Sequence, residues 1–248
     1  MLKGKTAIIT GASSGIGASI AEEMAKEGAN LILSDINDKE GQKLTEQLKQ
    51  KFNIKAFYVH ADVSSEKDCN LLTEKALEHF NKLDIAVNNA GISGEQGPLI
   101  DCTVENWKNI MAVNLDSIFY CMKSQIPAMI KSGGGSVINM SSILGSVGFP
   151  NAAPYVATKH AMNGLTKTAA WEYAQQGVRV NAIGPAFIKT PLLEALDDDM
   201  LKMLETKHAF NRLGKPVEVA NLAVFLASDK ASFLTGSYFP ADGGYLGI

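Results

Sequence analysis

Apolar residues along this chain fall into short β-branched runs, separated by longer stretches in which they recur every three to four positions. The runs KTAIIT, ANLILSD, KAFYVHAD, LDIAVNNAG, GSVINMSS, GVRVNAIGP and SYFPADGG predict seven strands. The intervening segments 15–27, 38–51, 65–80, 103–131, 153–176 and 217–227 carry helical periodicity. A strand with one wet face alternates apolar and polar residues, whereas a continuous apolar run is buried on both faces, as in a parallel sheet covered by helices. Alternating strands and helices therefore predict an α/β fold, a doubly wound parallel sheet with helices on both faces. No internal repeat, low-complexity tract or linker divides the chain, and GEQGP at 94–98 and SGGG at 132–135 read as internal turns. Residues 1–248 are expected to form a single domain.

Composition narrows the partners. With 248 residues, 46% of them hydrophobic, the chain can bury a large core. A net charge of -3 and only two arginines, Arg179 and Arg212, offer no basic footprint for a phosphate backbone, so no nucleic acid partner is expected. The start, MLKGKTAIITGASSG, lacks the apolar core and cleavage site of a signal peptide, and no apolar run reaches membrane-spanning length. A soluble cytoplasmic protein with no membrane partner is the expectation. Cys69, Cys102 and Cys121 are odd in number and lack the paired spacing of a disulfide framework or zinc cluster, so no metal is expected. The triplet Asp197, Asp198 and Asp199 reads as a solvated loop or a helix start.

Two motifs carry chemistry. The first is TGASSGIG, in which Gly11, Gly15 and Gly17, with Ser14 and Ile16 among them, join the first strand to the first helix. Glycines there let the backbone approach a pyrophosphate, whose charge meets the free N–H groups of the helix N-terminus. Asp35 ends the second strand, where a carboxylate accepts hydrogen bonds from adenosine ribose hydroxyls and repels a 2′-phosphate; the next residue is Ile36 rather than a cation. These features predict NAD(H) rather than NADP(H) as cofactor. The second motif is YVATK, which sets Tyr155 and Lys159 four apart on one helix face. At an effective dielectric near 20, a cation about 4 Å from a phenolate favours it by roughly 4 kcal/mol, enough to bring a tyrosine pKa from about 10 towards neutrality. The spacing alone is common by chance, and a helix surface pair is its ordinary reading.

With TGASSGIG, NNAG at 88–91 and YVATK in this order, the chain resembles the short-chain dehydrogenase/reductase family over essentially its whole length. The resemblance implies a Rossmann-type fold and a catalytic tetrad of Asn114, Ser142, Tyr155 and Lys159. Ser142 rather than Ser141 matches the family's serine, 13 residues before the tyrosine. Further cofactor contacts are implied for Asp62, Val63, Asn89, Ala90, Gly91, Pro185, Ile188 and Thr190, beside Tyr155 and Lys159. Pro185-Ala186 departs from the family's usual Pro-Gly and puts the nicotinamide-side loop in question, since alanine avoids positive φ.

In the implied chemistry Tyr155 exchanges a proton with the substrate, Lys159 tunes it and binds the nicotinamide ribose, Ser142 stabilises alkoxide charge, and Asn114 holds a water towards Lys159. The substrate wall is expected in 143–152 with Ser93, Ala186 and Phe187; Ser142, Leu144, Ala152 and Tyr155 belong to it. Segment 190–210, with Leu192, Leu193, Leu196, Met200, Leu201, Met203 and Leu204, reads equally as an apolar-faced lid or as an ordinary amphipathic helix. His208 and Arg212 read as structural. The function expected is interconversion of a secondary alcohol and a ketone, in a homotetramer by family likeness. A 3-oxoacyl-(acyl-carrier-protein) reductase using NADP(H) is the alternative, disfavoured by Asp35 and the scarcity of arginine. A nicotinamide-sensing protein without turnover would lack part of the tetrad, and a sugar-nucleotide epimerase would need a longer C-terminal region.

Overall fold

The computed structural model describes residues 1–191, 193 and 197–247, so Leu192 and Leu196 of the expected lid lie outside the described residues. All seven apolar runs form strands: β1 Thr6–Thr10, β2 Asn30–Asp35, β3 Ala56–His60, β4 Ile85–Asn88, β5 Gly135–Met140, β6 Val178–Pro185 and β7 Tyr238–Ala241. They pair in parallel in the order β3-β2-β1-β4-β5-β6-β7. The chain thus winds outwards from β1 in one direction and from β4 in the other. Their carboxyl ends share one edge, where a crevice opens beside the point of reversal.

The uninterrupted apolar runs are explained by what covers them. Ala7, Ile9, Leu31, Leu33 and Val87 pack into one core, and the intervening Ile8, Ile32 and Ala86 into the other. The first core is closed by α1 (Gly15–Lys26), α2 (Asp38–Phe52) and α8 (Pro216–Ala227). The second is closed by α3 (Glu66–Phe80), α5 (Ser117–Lys131) and α6 (Ala153–Tyr173). Either apolar face left uncovered would cost about 25 cal/mol for each Å² of apolar area kept in water.

The segment 103–131 is not one regular helix. Helix α4 (Val104–Met111) passes into a π-helical turn at Ala112–Asp116 before α5 begins. The wider turn contains Asn114, which is fully buried. Helix α7 (Asp198–Glu205) is short, and the aspartate triplet starts it: Asp197 accepts a hydrogen bond from Met200 N at 2.8 Å, while Asp198 and Asp199 fill the first turn. That arrangement suits the positive end of a helix. Among the described residues no helix is long and apolar enough to cross a membrane.

Between β4, β5, α5 and α6 runs a buried chain of amides. Asn88 Nδ2 donates to Gln125 Oε1 (3.2 Å) and to Asn139 Oδ1 (3.0 Å), Gln125 Nε2 returns a bond to Asn88 Oδ1 (2.9 Å), and Asn139 Nδ2 donates to Thr166 Oγ1 (3.0 Å). The chain ties the strands that end at the site to the helix carrying Tyr155 and Lys159. Replacing one member leaves its buried partners unmatched, at about 1–3 kcal/mol per group. Asn139→Leu should accordingly lower stability by about 2–3 kcal/mol in urea unfolding, and Thr166→Val, at the end of the chain, by about 1 kcal/mol.

Candidate active site

The glycine loop closes on the turn after β4. Gly11 has φ +63, and a Cβ on it would stand 2.8 Å from Ala90 Cα; a Cβ on Gly17 would run into the carbonyl oxygen of Gly11. Both positions therefore admit only glycine in this geometry. Thr10 Oγ1 accepts from the N–H groups of Asn89 (3.0 Å) and Ala90 (3.1 Å), and Asn89 Nδ2 donates to the carbonyls of Thr10 and Gly11. Ser14 sits at the N-cap of α1 without a side-chain cap bond, and the first turn has no acidic residue. By contrast Asn37, Ser65, Thr103 and Asp197 each cap their own helix. An open cradle of amides at an uncapped N-terminus fits a pyrophosphate. Asp35 lies beside it, its Oδ2 accepting from Ser13 N at 3.0 Å and its Oδ1 from Asn37 N at 3.1 Å. Val63 packs near Ala90, and Asp62 receives the Ser64 N–H and hydroxyl at 2.9 and 2.8 Å. The residues present thus fit a dinucleotide laid along the carboxyl edge of the sheet.

Beyond the loop, β5 and α6 bring the other chemistry together. Lys159 is buried, and its Nζ donates to the carbonyl of Met140, at the end of β5, at 2.7 Å. The same Nζ lies 5.3 Å from the centre of the Tyr155 ring. Ser142, two residues past Met140, opens a tight turn in which its Oγ accepts from Leu144 N at 3.1 Å, and its hydroxyl also hydrogen-bonds Tyr155. The Ser141 hydroxyl instead points to the Lys159 carbonyl at 3.4 Å. Tyr238, on the last strand, donates to the Ser142 carbonyl at 2.8 Å, a support without any local signal in the sequence.

The electrostatics of the pair follow from their burial. Burial, the largest influence, pushes the Tyr155 pKa above its ordinary value, with the Ser142 hydrogen bond opposing, and it lowers Lys159 to about 8. Desolvation penalises both charged forms, and the ammonium is spent on a carbonyl rather than on the phenol, so these side chains alone do not make a neutral-range tyrosine. The Asn114 amide is clamped to the backbone: Oδ1 accepts from Ile92 N and Nδ2 donates to Ile92 O, both at 2.8 Å, which leaves one lone pair and one N–H of the amide for a further partner. The clamp fixes the loop after NNAG, and Gly91 lies between Asn114 and Lys159, a Cβ placed on it being 3.2 Å from Asn114 Oδ1 and 3.9 Å from Lys159 Nζ.

A cavity of about 280 Å³ joins these groups. Ser142, Tyr155 and Lys159 face it from one side, and Asn89, Gly91 and Ile16 from the cofactor side. Pro185, Ile188 and Thr190 complete that side, Thr190 Cγ2 lying 3.4 Å from where a Cβ would stand on Gly15. Ala186 does not take positive φ, so the loop tolerates alanine without strain. Leu144, Ala152 and Phe187 line the remaining wall as expected. Phe149 packs on Phe187 with ring centres 6.2 Å apart, and behind Phe187 stand His208 and Tyr245 at 5.9 and 6.0 Å. Met140, Ile92 and Gln96 also reach the cavity; no motif marked them, because only the crossing of strand ends brings them there. Leu193 lines it too, while Met200 and Met203 of α7 turn outwards, 42% and 41% exposed, so α7 does not lay a continuous apolar face on the cleft.

Known proteins agree with this geometry. The short-chain alcohol dehydrogenase group described as enoyl-(acyl carrier protein) reductase matches residues 11–246. Cyclohexanol dehydrogenase of Acinetobacter sp. (strain SE19) is 42% identical over 242 residues, 97% of this chain and 94% of that protein. The chain belongs to the short-chain dehydrogenase/reductase family. A 3-oxoacyl-(acyl-carrier-protein) reductase of Staphylococcus aureus (strain Mu50 / ATCC 700699) is 37% identical over 241 residues, 97% of each chain. The crystal structure of levodione reductase superposes with a TM-score of 0.92 at 31% identity, covering 98% of both chains. As a family member the protein is an NAD(P)-dependent oxidoreductase that interconverts a secondary alcohol and a ketone.

The buried ammonium has a measurable signature. Lys159 falls from an ordinary 10.5 to about 8 on folding, so between those values the unfolded chain holds more protons and stability from this group rises with pH. Below pH 8 the cost of burying the charge is present in full. Lys159→Met should therefore raise stability at pH 7 by about 1–2 kcal/mol, an advantage that shrinks towards pH 10. Thermal melts of both proteins across that range check it, and a difference independent of pH would contradict it.

Proposed function

We propose that the protein is an NAD(H)-dependent dehydrogenase/ketoreductase acting on a secondary alcohol borne on an apolar, ring-sized frame. The convergence of Ser142, Tyr155 and Lys159 on a cavity that adjoins the glycine loop is the observation that carries this reading. Gly11, Ser14, Gly15, Ile16 and Gly17 would hold the pyrophosphate, Asp35 the adenosine ribose, Asp62 and Val63 the adenine, and Asn89 to Gly91 with Pro185, Ile188 and Thr190 the nicotinamide half. When bound, NAD(H) supplies the hydride acceptor or donor. The chain supplies orientation and one proton. Ser142 Oγ and the Tyr155 hydroxyl would grip the substrate oxygen, and Tyr155 would donate the proton in reduction and accept it in oxidation. Lys159 would hold ribose hydroxyls and offset charge on the phenolate, and Asn114 would act as a positioning residue through Ile92.

The substrate class follows from the walls. Leu144, Phe149, Ala152 and Phe187 offer apolar surface, and the 42% identical relative is named for cyclohexanol. Asp35 at the end of β2, with no cation directly after it, supports NAD(H) over NADP(H). The 37% identical relative keeps an NADP(H)-dependent 3-oxoacyl thioester reductase as the second reading, and a thioester with NADPH belongs in the same assay panel.

Tyr155→Phe should bind NADH almost unchanged while losing a factor on the order of 10² to 10⁴ in turnover of cyclohexanol. Retained turnover would refute the role. Because burial holds the phenol protonated, oxidation by the wild-type enzyme should accelerate from pH 7 to 9, and a flat profile would speak against proton transfer through Tyr155. A homotetramer is also proposed, on the apolar side chains left in solvent: Phe119 at 50% exposure, Trp171 at 89% and Phe233 at 100%. Light scattering on the purified protein should give four times the chain mass of 26.5 kDa, and a monomer would overturn it.

A further inference from the structure

The turn after β2 is built around a second carboxylate. Asp38 opens α2 three residues past Asp35, and its Oδ1 accepts hydrogen bonds from the Tyr58 hydroxyl at 3.0 Å and from His60 Nδ1 at 2.7 Å. Both partners come from β3, whose register sets His60 opposite Asp35. The Tyr58 oxygen also lies 2.7 Å from the Asp35 carbonyl, and its single proton serves one acceptor at a time. Tyr58 comes this close because α2 has Gly41 beneath the ring, where a Cβ would collide with it. The His60 bond, then the Tyr58 bond, hold the Asp38 carboxyl below its ordinary range. The side chain is more than half exposed, yet it is held from two directions.

The charges around this turn are unevenly balanced. Glu40 is offset by Lys43 at 3.6 Å, and its N–H is taken by the Asn37 side chain. Asp35 and Asp38 have no lysine or arginine within ion-pair distance among the described residues, and Lys39 follows on the next position of the helix. A helix N-terminus otherwise attracts phosphate. Here Asn37 caps it, and Asp38 and Glu40 stand in its first turn.

We propose that Asp38, held in place by Tyr58 and His60, is a second cofactor-discriminating residue that repels a phosphate on the adenosine 2′ position independently of Asp35. The inference rests on the NAD(H) reading and deepens it. The two acids act differently. Asp35 would bind the ribose hydroxyls and so affect both coenzymes, whereas Asp38, whose carboxylate is taken up by Tyr58 and His60, would add negative potential that a 2′-hydroxyl tolerates and a 2′-phosphate does not. Asp38→Asn keeps the acceptor for Tyr58 and His60 and removes the charge.

Dissociation constants for NADH and NADPH, measured by fluorescence titration, test this in the wild type, Asp38→Asn, Asp35→Asn and the double variant. Asp38→Asn should tighten NADPH by roughly five- to tenfold and move NADH by less than twofold. The gain should fade at high salt, since exposed charges are screened, and should multiply with that of Asp35→Asn. If the wild type prefers NADH but Asp38→Asn leaves NADPH within twofold, the role of Asp38 is overturned and the NAD(H) reading stands. Equal wild-type affinity for both coenzymes would overturn the two together.

Discussion

A buried ammonium held by one carbonyl organises the centre of this protein. The bond from Lys159 Nζ to Met140 O joins the middle of α6 to the carboxyl end of β5. Taking a charge out of water is costly, and burial lowers the Lys159 pKa to about 8. The cost is tolerable only while the carbonyl is in place, so α6 and β5 are bound to a single relative position. Ser142 follows Met140 by two residues and Tyr155 precedes Lys159 by one helical turn. The bond that holds the lysine therefore sets the distance between the other two proposed groups.

The sheet supplies the frame in which one such bond suffices. Seven parallel strands bring loops from distant parts of the sequence to a single edge, and the amides of Asn88, Gln125 and Asn139 with Thr166 keep the central strands and α6 in register below it. On the cofactor side the close approaches at Gly11 and Gly17 perform the equivalent service. Rigidity on both flanks leaves the cleft wall, Phe149 and Phe187 with the described part of segment 190–210, as the variable portion.

Much of this was legible beforehand because the physical signals are local. Apolar runs buried on both faces cannot be mistaken for amphipathic strands, and all seven appear where the runs lie. The glycine loop was readable because its need for close backbone approach falls within eight residues. Less local features escaped. The π turn inside 103–131 is invisible to a 3.6-residue period, and the Asn114 bond that accompanies it reaches Ile92, 22 residues away. The raising of the Tyr155 pKa by burial is not legible from spacing, because a pairwise attraction says nothing of desolvation, which only the folded surroundings reveal. Met140, Ile92 and Gln96 entered the cavity through tertiary crossing alone. The Tyr58–Asp38 contact likewise depends on β3 lying beside β2, which strand pairing decides.

The Tyr238 hydroxyl reaches the Ser142 carbonyl across 96 residues of sequence, and the Tyr238 side chain occupies space that a Cβ on Gly184 would deny it. Tyr238 stands on β7, which pairs with β6 alone among the described strands. The seating of that border strand and the shape of the serine turn are thereby coupled, and fraying of β7 would withdraw the prop from a turn that lies beyond the end of β5.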